Sequence, residues 1–295
     1  MSKSDITAPP LPGKRILVTR TREQAHALSD RLRALGAIPV EFPTIRIEAP
    51  LDWTPLDEAL QRLCALNGAG DPYYAWLIFT SANGVRSCFD RLSELGYTAR
   101  VGQALASVRV AVIGPATAAA LAQYGVTADL VPSEYIAERV VSALVEDSQR
   151  RGETVVGKRV LLARAAEARN VLVTGLQQAG AVVDEVAAYR TVTAAGNDEW
   201  GREVLRLLQS QQIDMLTFTS SSTVRHFMHW LEDCALETGV TPTDLVKRNP
   251  HLKIACIGPI TSQTAHELGL EVAIQAKEFT IDGLVGAIVE HEGRL

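Results

Sequence analysis

Short apolar runs alternate along this chain with longer stretches in which apolar residues recur every three or four positions. "RILVTR" (15–20), "WLIFT" (76–80), "VAVIG" (110–114), "MLTFT" (215–219) and "IACIG" (254–258) read as strands with no polar face. Between them Ala25, Leu28, Leu32 and Leu35 share one helix face. Val85, Cys88, Phe89 and Leu92 share another, and Val224, Phe227, Met228 and Leu231 a third. "TREQ" after the first strand fits a capping box, with Thr21 as N-cap and Gln24 reaching back. Gly36 stands where a helix C-terminal glycine is expected. Such alternation predicts parallel sheets covered on both faces, an α/β protein.

The pattern is written twice. "GKRILVTRTREQAHALSDRLRALGA" (13–37) aligns without a gap on "GKRVLLARAAEARNVLVTGLQQAGA" (157–181). "LIFTSANGVRSCFDRL" (77–92) aligns on "LTFTSSSTVRHFMHWL" (216–231). Gly114, Pro115, Thr117 and Gly125 then match Gly258, Pro259, Thr261 and Gly269, 144 positions on. The helical stripe Ala137, Val140, Val141, Leu144 and Val145 matches Ile281, Leu284, Val285, Ile288 and Val289. The chain is therefore a duplication, and two similar doubly wound, flavodoxin-like parallel-sheet domains are expected. Periodicity leaves their boundary open. One copy per domain would split the chain near "SQRRGETVVGK". A swapped arrangement would let "EFPTIRIEAP" and "DEVAAYRTVT" run side by side as a two-strand connector between the domains.

Composition narrows the function classes. The 295 residues carry a net charge of −5, which argues against a nucleic-acid partner. No apolar run reaches the ~18 residues of a membrane span, and "MSKSDITAPPLPGKR" has no signal-peptide core, so a cytoplasmic protein is expected. Residues 1–12 read as a disordered arm. Cys64, Cys88, Cys234 and Cys256 show no metal or redox spacing and read as buried thiols. "GETVVGKR" (152–159) imitates a P-loop, but Arg159 replaces the hydroxyl residue and the segment precedes a strand. No GxGxxG, GxSxG or HExxH is present, and the six histidines are scattered. Neither a metal nor an organic cofactor is expected.

The candidate chemistry lies where strands end and helices begin. Ligands of doubly wound sheets bind at the carboxyl ends of strands, and helix N-termini there favour anions. Gly114 and Gly258 read as tight-turn glycines before Pro115 and Pro259, the first helical residues, with Thr117 and Thr261 beside exposed N–H groups. Thr80, Ser81 and Asn83 in one copy, and Thr219, Ser220, Ser221, Ser222 and Ser262 in the other, add caps and neutral donors. Arg20 and Arg164 close the first strand of each copy. Four helix N-termini and two arginines facing one cleft suit a large ligand with several carboxylates. N-capping alone explains many of these hydroxyls, and surface ion pairs would explain the arginines. A two-lobed binding protein and a regulatory flavodoxin-like module share these features with an enzyme.

"ILVTR", "FTSANGV", "AVIGPATAAAL", "GKRVLLAR", "VAAYRT", "FTSSSTV" and "IGPIT" occur in the order found in uroporphyrinogen-III synthases, and the chain resembles that family from about Lys14 to His291. The resemblance implies the swapped architecture: a first domain from 1–41 plus 191–295, a second from 50–183, and a connector from 42–49 and 184–190. It implies a cofactor-free lyase that closes the linear tetrapyrrole hydroxymethylbilane into uroporphyrinogen III, with loss of water and inversion of ring D. Tyr189 matches the family's tyrosine and becomes the catalytic candidate. Ile260 departs from the family's pattern, where a second Thr commonly stands beside Thr261. A monomer is expected. A transient contact with hydroxymethylbilane synthase follows as a hypothesis from the handover of an unstable bilane.

Overall fold

The computed structural model describes residues 9–65, 72–196 and 198–293. Its chain divides into two units, 1–46 with 192–295, and 47–191. Residues 1–8 of the expected arm lie outside the described residues. In the rest of that arm Pro9, Pro10 and Pro12 are exposed, but Leu11 is fully buried and its N–H donates to the Leu35 carbonyl at 2.9 Å.

The first unit is built on β1 (Arg15–Val18), β2 (Ile38–Glu41), β8 (Met215–Phe218), β9 (Lys253–Cys256) and β10 (Ile274–Gln275). They form one sheet in the order β10-β9-β8-β1-β2, every pair parallel. Helices α1 (Arg22–Ala34) and α12 (Ile281–Glu292) cover one face through Leu28, Leu32, Leu284 and Ile288. The opposite face packs on α8 (Glu199–Gln209), α9 (Ser221–Thr238) and α11 (Pro259–Glu267) through Val204, Phe227 and Ala265. The short α10 (Pro242–Lys247) follows α9. Thr19 and Thr217, polar residues in fully buried strand ends, are satisfied reciprocally: each hydroxyl donates to a carbonyl of the other's strand, at 2.7 and 2.8 Å.

The second unit repeats this plan with the strands in another chain order. Its sheet runs β3-β7-β6-β4-β5, from β3 (Ile45–Glu48), β4 (Trp76–Phe79), β5 (Arg109–Val112), β6 (Arg159–Ala165) and β7 (Val182–Thr193). One face carries α2 (Thr54–Leu63), α3 (Ala82–Glu94), α4 (Thr98–Leu105) and α5 (Pro115–Ala122). The other carries α6 (Ala137–Arg150) and α7 (Val171–Gln178). An isolated parallel bridge joins Ala111 to Leu130. It duplicates the Ala255–Ile274 pairing of β9 with β10, 144 residues on. Aligned glycines keep their conformations as well: Gly36 and Gly180 have φ of 87° and 89° at the ends of α1 and α7, a region costly for other residues.

The segments 42–49 and 184–190, expected as a two-strand connector, meet as β3 beside β7 at the edge of the second sheet. Ile45–Glu48 and Val182–Thr193 are members of the second five-stranded sheet, with Val186 and Ala188 buried in its core. The chain crosses between units at 46/47 and 191/192. Thr21 begins α1 but makes no side-chain cap, and the Gln24 side chain instead accepts from Arg20 at 3.1 Å.

Candidate active site

In the second unit the carboxyl ends of β4, β5, β6 and β7 bring several candidates near one another. Ser81 caps α3: its Oγ accepts the Gly84 N–H at 3.0 Å. The same hydroxyl lies 2.9 Å from the Tyr189 hydroxyl. Tyr189 is 7 % exposed. Burial pushes its phenol above the ordinary tyrosine value; the Ser81 hydrogen bond acts in the opposite sense, and the nearby Glu167 charge adds to the rise. The residue is therefore a neutral O–H donor at physiological pH. Thr80 and Asn83 are half-buried, and Asn83 Oδ1 accepts from Arg86 at 2.7 Å.

A β-bulge aims the tyrosine. Along β6 and β7, Ala163 pairs with Val186 and Arg164 with Ala187, but Ala165 pairs with Tyr189. Ala188 is the extra residue. Side chains alternate across a strand, so Val186 and Ala188 face the α3 side while an unbulged residue 189 would turn away. The bulge returns Tyr189 to the face of Phe79, Val85 and Ala163.

Arg164 does not fill the role expected of it. It is 3 % exposed, its guanidinium pairs with Glu185, and Nη1 donates to the Arg169 carbonyl at 2.7 Å. It braces the loop after β6 rather than offering a charge to a ligand. The tight-turn reading of Gly114 and Gly258 also fails: their φ values are −177° and 179°, extended backbone open to any residue. Glycine is needed for room. A Cβ on Gly114 would meet the Tyr135 ring at 2.9 Å, and one on Gly258 the Phe279 ring at 3.0 Å. These aromatics lie 144 residues apart, a signal present in the repeat and unread. Pro115 and Pro259 do open α5 and α11, whereas the Thr117 and Thr261 side chains are buried.

The first unit carries the matching set at the ends of β1, β8 and β9. Ser220 caps α9 in a full capping box with Thr223. Ser221 is a strut between α9 and α11: it receives the Thr264 hydroxyl at 2.8 Å and reaches the Ile260 carbonyl at 3.4 Å. Ser262 is 4 % exposed, and its hydroxyl finds no hydrogen-bond acceptor or donor among nitrogen and oxygen atoms. Beside it the Cys256 thiol is pushed up by burial to about 11 and stays protonated. Thr219, Ser222 and Arg20 are half-buried. Among the described residues no three His, Cys, Asp or Glu side chains gather as a metal site requires, and no helix is long and apolar enough to cross a membrane.

Fold and sites together define a duplicated flavodoxin-like α/β protein whose helix N-termini crown the carboxyl ends of both sheets. Comparison with known proteins supplies the family. Residues 26–286 match the model for uroporphyrinogen-III synthase HemD. The uroporphyrinogen-III synthase of Synechococcus elongatus is 35 % identical over 280 residues, covering 95 % of this chain and 96 % of that one. The porphyrin biosynthesis protein HemD of Ruminiclostridium josui is 31 % identical over 96 % of this chain, which spans half of that protein's length. A mutant uroporphyrinogen III synthase from Thermus thermophilus shares the fold, with a TM-score of 0.64 at 18 % identity over 96 % of this chain and all of that one. The chain belongs to the uroporphyrinogen-III synthase family, and its activity is that of this hydro-lyase of tetrapyrrole biosynthesis.

Proposed function

We propose that the chain closes hydroxymethylbilane into uroporphyrinogen III with inversion of ring D, and that Tyr189 donates a hydrogen bond to the departing hydroxyl. The observation that carries this reading is the buried, neutral Tyr189 hydroxyl, turned by a bulge to the helix-start end of its unit. A neutral donor stabilises negative charge that develops on the leaving oxygen as the C–O bond breaks.

Backbone N–H groups at the starts of α3 and α5 are offered to the bilane's carboxylates in the second unit, and the first unit carries a like set at the starts of α9 and α11. Glycine at the caps of α5 and α11 leaves those amides open. Half-buried Arg20, Thr80, Asn83, Thr219 and Ser222 add polar contacts. Thr261 contributes through its amide, since its side chain is buried, whereas the Thr117 and Ser262 amides donate to the Gly114 and Gly258 carbonyls at 3.1 and 3.0 Å and are closed to the ligand. Steering closure toward one isomer by ~100-fold takes only about 2.7 kcal/mol of differential transition-state stabilisation.

The test uses hydroxymethylbilane generated in situ, with oxidised products separated as type I and type III isomers. The protein is expected to yield type III. Tyr189→Phe is expected to lower kcat by about 100-fold with KM little changed, and to cost no more than about 1 kcal/mol in stability. Wild-type kcat in that variant would remove Tyr189 from the chemistry.

A further inference from the structure

We propose that Ser81 is a positioning residue for Tyr189: it donates its hydroxyl proton to the tyrosine oxygen and leaves the tyrosine's own proton free for the departing hydroxyl. The inference rests on the catalytic reading of Tyr189 above.

Three observations carry it. The first is hydrogen-bond capacity. A serine hydroxyl has one donor and two acceptor sites. One acceptor site is taken by the Gly84 N–H at 3.0 Å, and the Tyr189 oxygen lies 2.9 Å away. With Ser81 donating, Tyr189 keeps its proton for a third partner. With the roles reversed, that proton would be spent inside the protein.

The second observation is the divergence of the two copies. Ser220 is the duplicate of Ser81, and Thr223 is the duplicate of Gly84. In the first unit Ser220 and Thr223 satisfy one another in a capping box. In the second unit Gly84 has no side chain to offer, and a Cβ there would approach the Ala163 carbonyl to 3.1 Å. Glycine lets α3 settle on the end of β6 and leaves the Ser81 hydroxyl for the tyrosine. The residue of the first copy aligned with Tyr189 is Ile45, so only one unit has the pair.

The third is the bulge. With Ala188 as the extra residue, the register shift turns Tyr189 toward Ser81. Strand irregularity, glycine and serine converge on one hydroxyl.

In the reaction the substrate's C–O bond breaks and its electron pair goes to oxygen. Tyr189 supplies the hydrogen bond, or the proton that makes the leaving group water. The Ser81 hydroxyl stabilises the negative charge this leaves on the phenol oxygen. Closure with inversion forms a C–C bond at the substituted α-carbon of ring D, breaks the bond from that carbon to its methylene bridge, and rejoins the bridge to the free α-carbon of the same ring. The proton lost from that last carbon returns to the phenol oxygen, and the catalyst is restored.

The experiment is a kinetic double-mutant cycle with hydroxymethylbilane, using Ser81→Ala, Ser81→Thr, Tyr189→Phe and the double variant. Ser81→Ala is expected to lower kcat at least about tenfold with KM within about twofold, and Ser81→Thr to restore most of it. In the Tyr189→Phe background Ser81→Ala is expected to cause no further loss in kcat. Thermal unfolding of each variant accounts for the lost cap. A rise in KM at intact kcat, or losses that multiply in the double variant, would make Ser81 an independent substrate contact and overturn the proposal. A full loss in Tyr189→Phe with wild-type kinetics in Ser81→Ala would overturn it and leave Tyr189 in place. Wild-type kcat in Tyr189→Phe would remove both.

Discussion

At the scale of single residues, the two Gly-Pro motifs show how a correct location can carry a wrong reason. Gly114 and Gly258 stand at helix starts as the sequence indicates, yet their backbones are extended, and the aromatic rings of Tyr135 and Phe279 explain them. The contact joins residues about twenty positions apart through tertiary folding, which no local pattern encodes. Gly114→Ala is expected to destabilise the protein by about 1–3 kcal/mol through overpacking. Because the strain comes from the ring and not from φ, adding Tyr135→Ala should cancel much of it. Denaturant midpoints for the two single variants and the double variant check this; additive losses would contradict it. Arg164 teaches the complementary lesson. An arginine at a strand end is legible, but Glu185 and the Arg169 carbonyl, which occupy it, are visible only once β7 lies beside β6.

Among elements, strand and helix positions were largely readable because each is written in a short period of apolar residues. The bulge in β7 was not, since nothing in "EVAAYRT" distinguishes an extra residue from a paired one. The join of α6 to β5 was equally hidden. Arg109 at the start of β5 lies 4.1 Å over the Trp76 ring and pairs with the nearly buried Asp147 of α6. That guanidinium holds the Asp147 carboxyl below the usual range, with Arg151 and Arg150 adding to the effect. A depressed folded pKa gives stabilisation that is complete above the unfolded value of about 3.9 and is lost as pH falls through the folded value. Asp147→Ala should therefore cost about 2–3 kcal/mol at pH 7, by stranding a largely buried arginine. The gap from the unchanged protein should shrink on acidification below about pH 4. Urea unfolding at pH 7 and pH 3 measures both values, and a gap independent of pH would rule out the ion pair as its source.

For the whole molecule, the duplication was plain in the sequence and its partition was not. Both copies open with nearly the same strand, "KRILVTR" and "KRVLLAR", so hydrophobic pattern cannot say which sheet each joins. In the structure the opening strand of the first copy pairs with β8 of the second, and that of the second copy, β6, with β4 of the first. Residues 47–191 form a contiguous unit whose two core clusters are drawn from within it. A fragment spanning 45–193 is expected to unfold cooperatively on its own. A fragment cut at the repeat boundary, 1–150, lacks β6 and β7 and is expected to show no such transition. Near-ultraviolet circular dichroism during denaturant titration separates the outcomes.

The interrupted first unit also sets a schedule for the chain as it is made. Thr19 is completed by Thr217, a partner 198 residues further on. At about 5–20 residues per second, roughly 10–40 s pass between the synthesis of the two. During that interval β1, α1 and β2 hold Ile16, Leu17, Val18 and Leu28 without the strands and helices that will bury them. The contiguous unit can finish folding in the meantime. Residues 15–46 are thus the part of the nascent chain that must be kept from aggregating, and the segment from residue 192 onward is the one that rescues it.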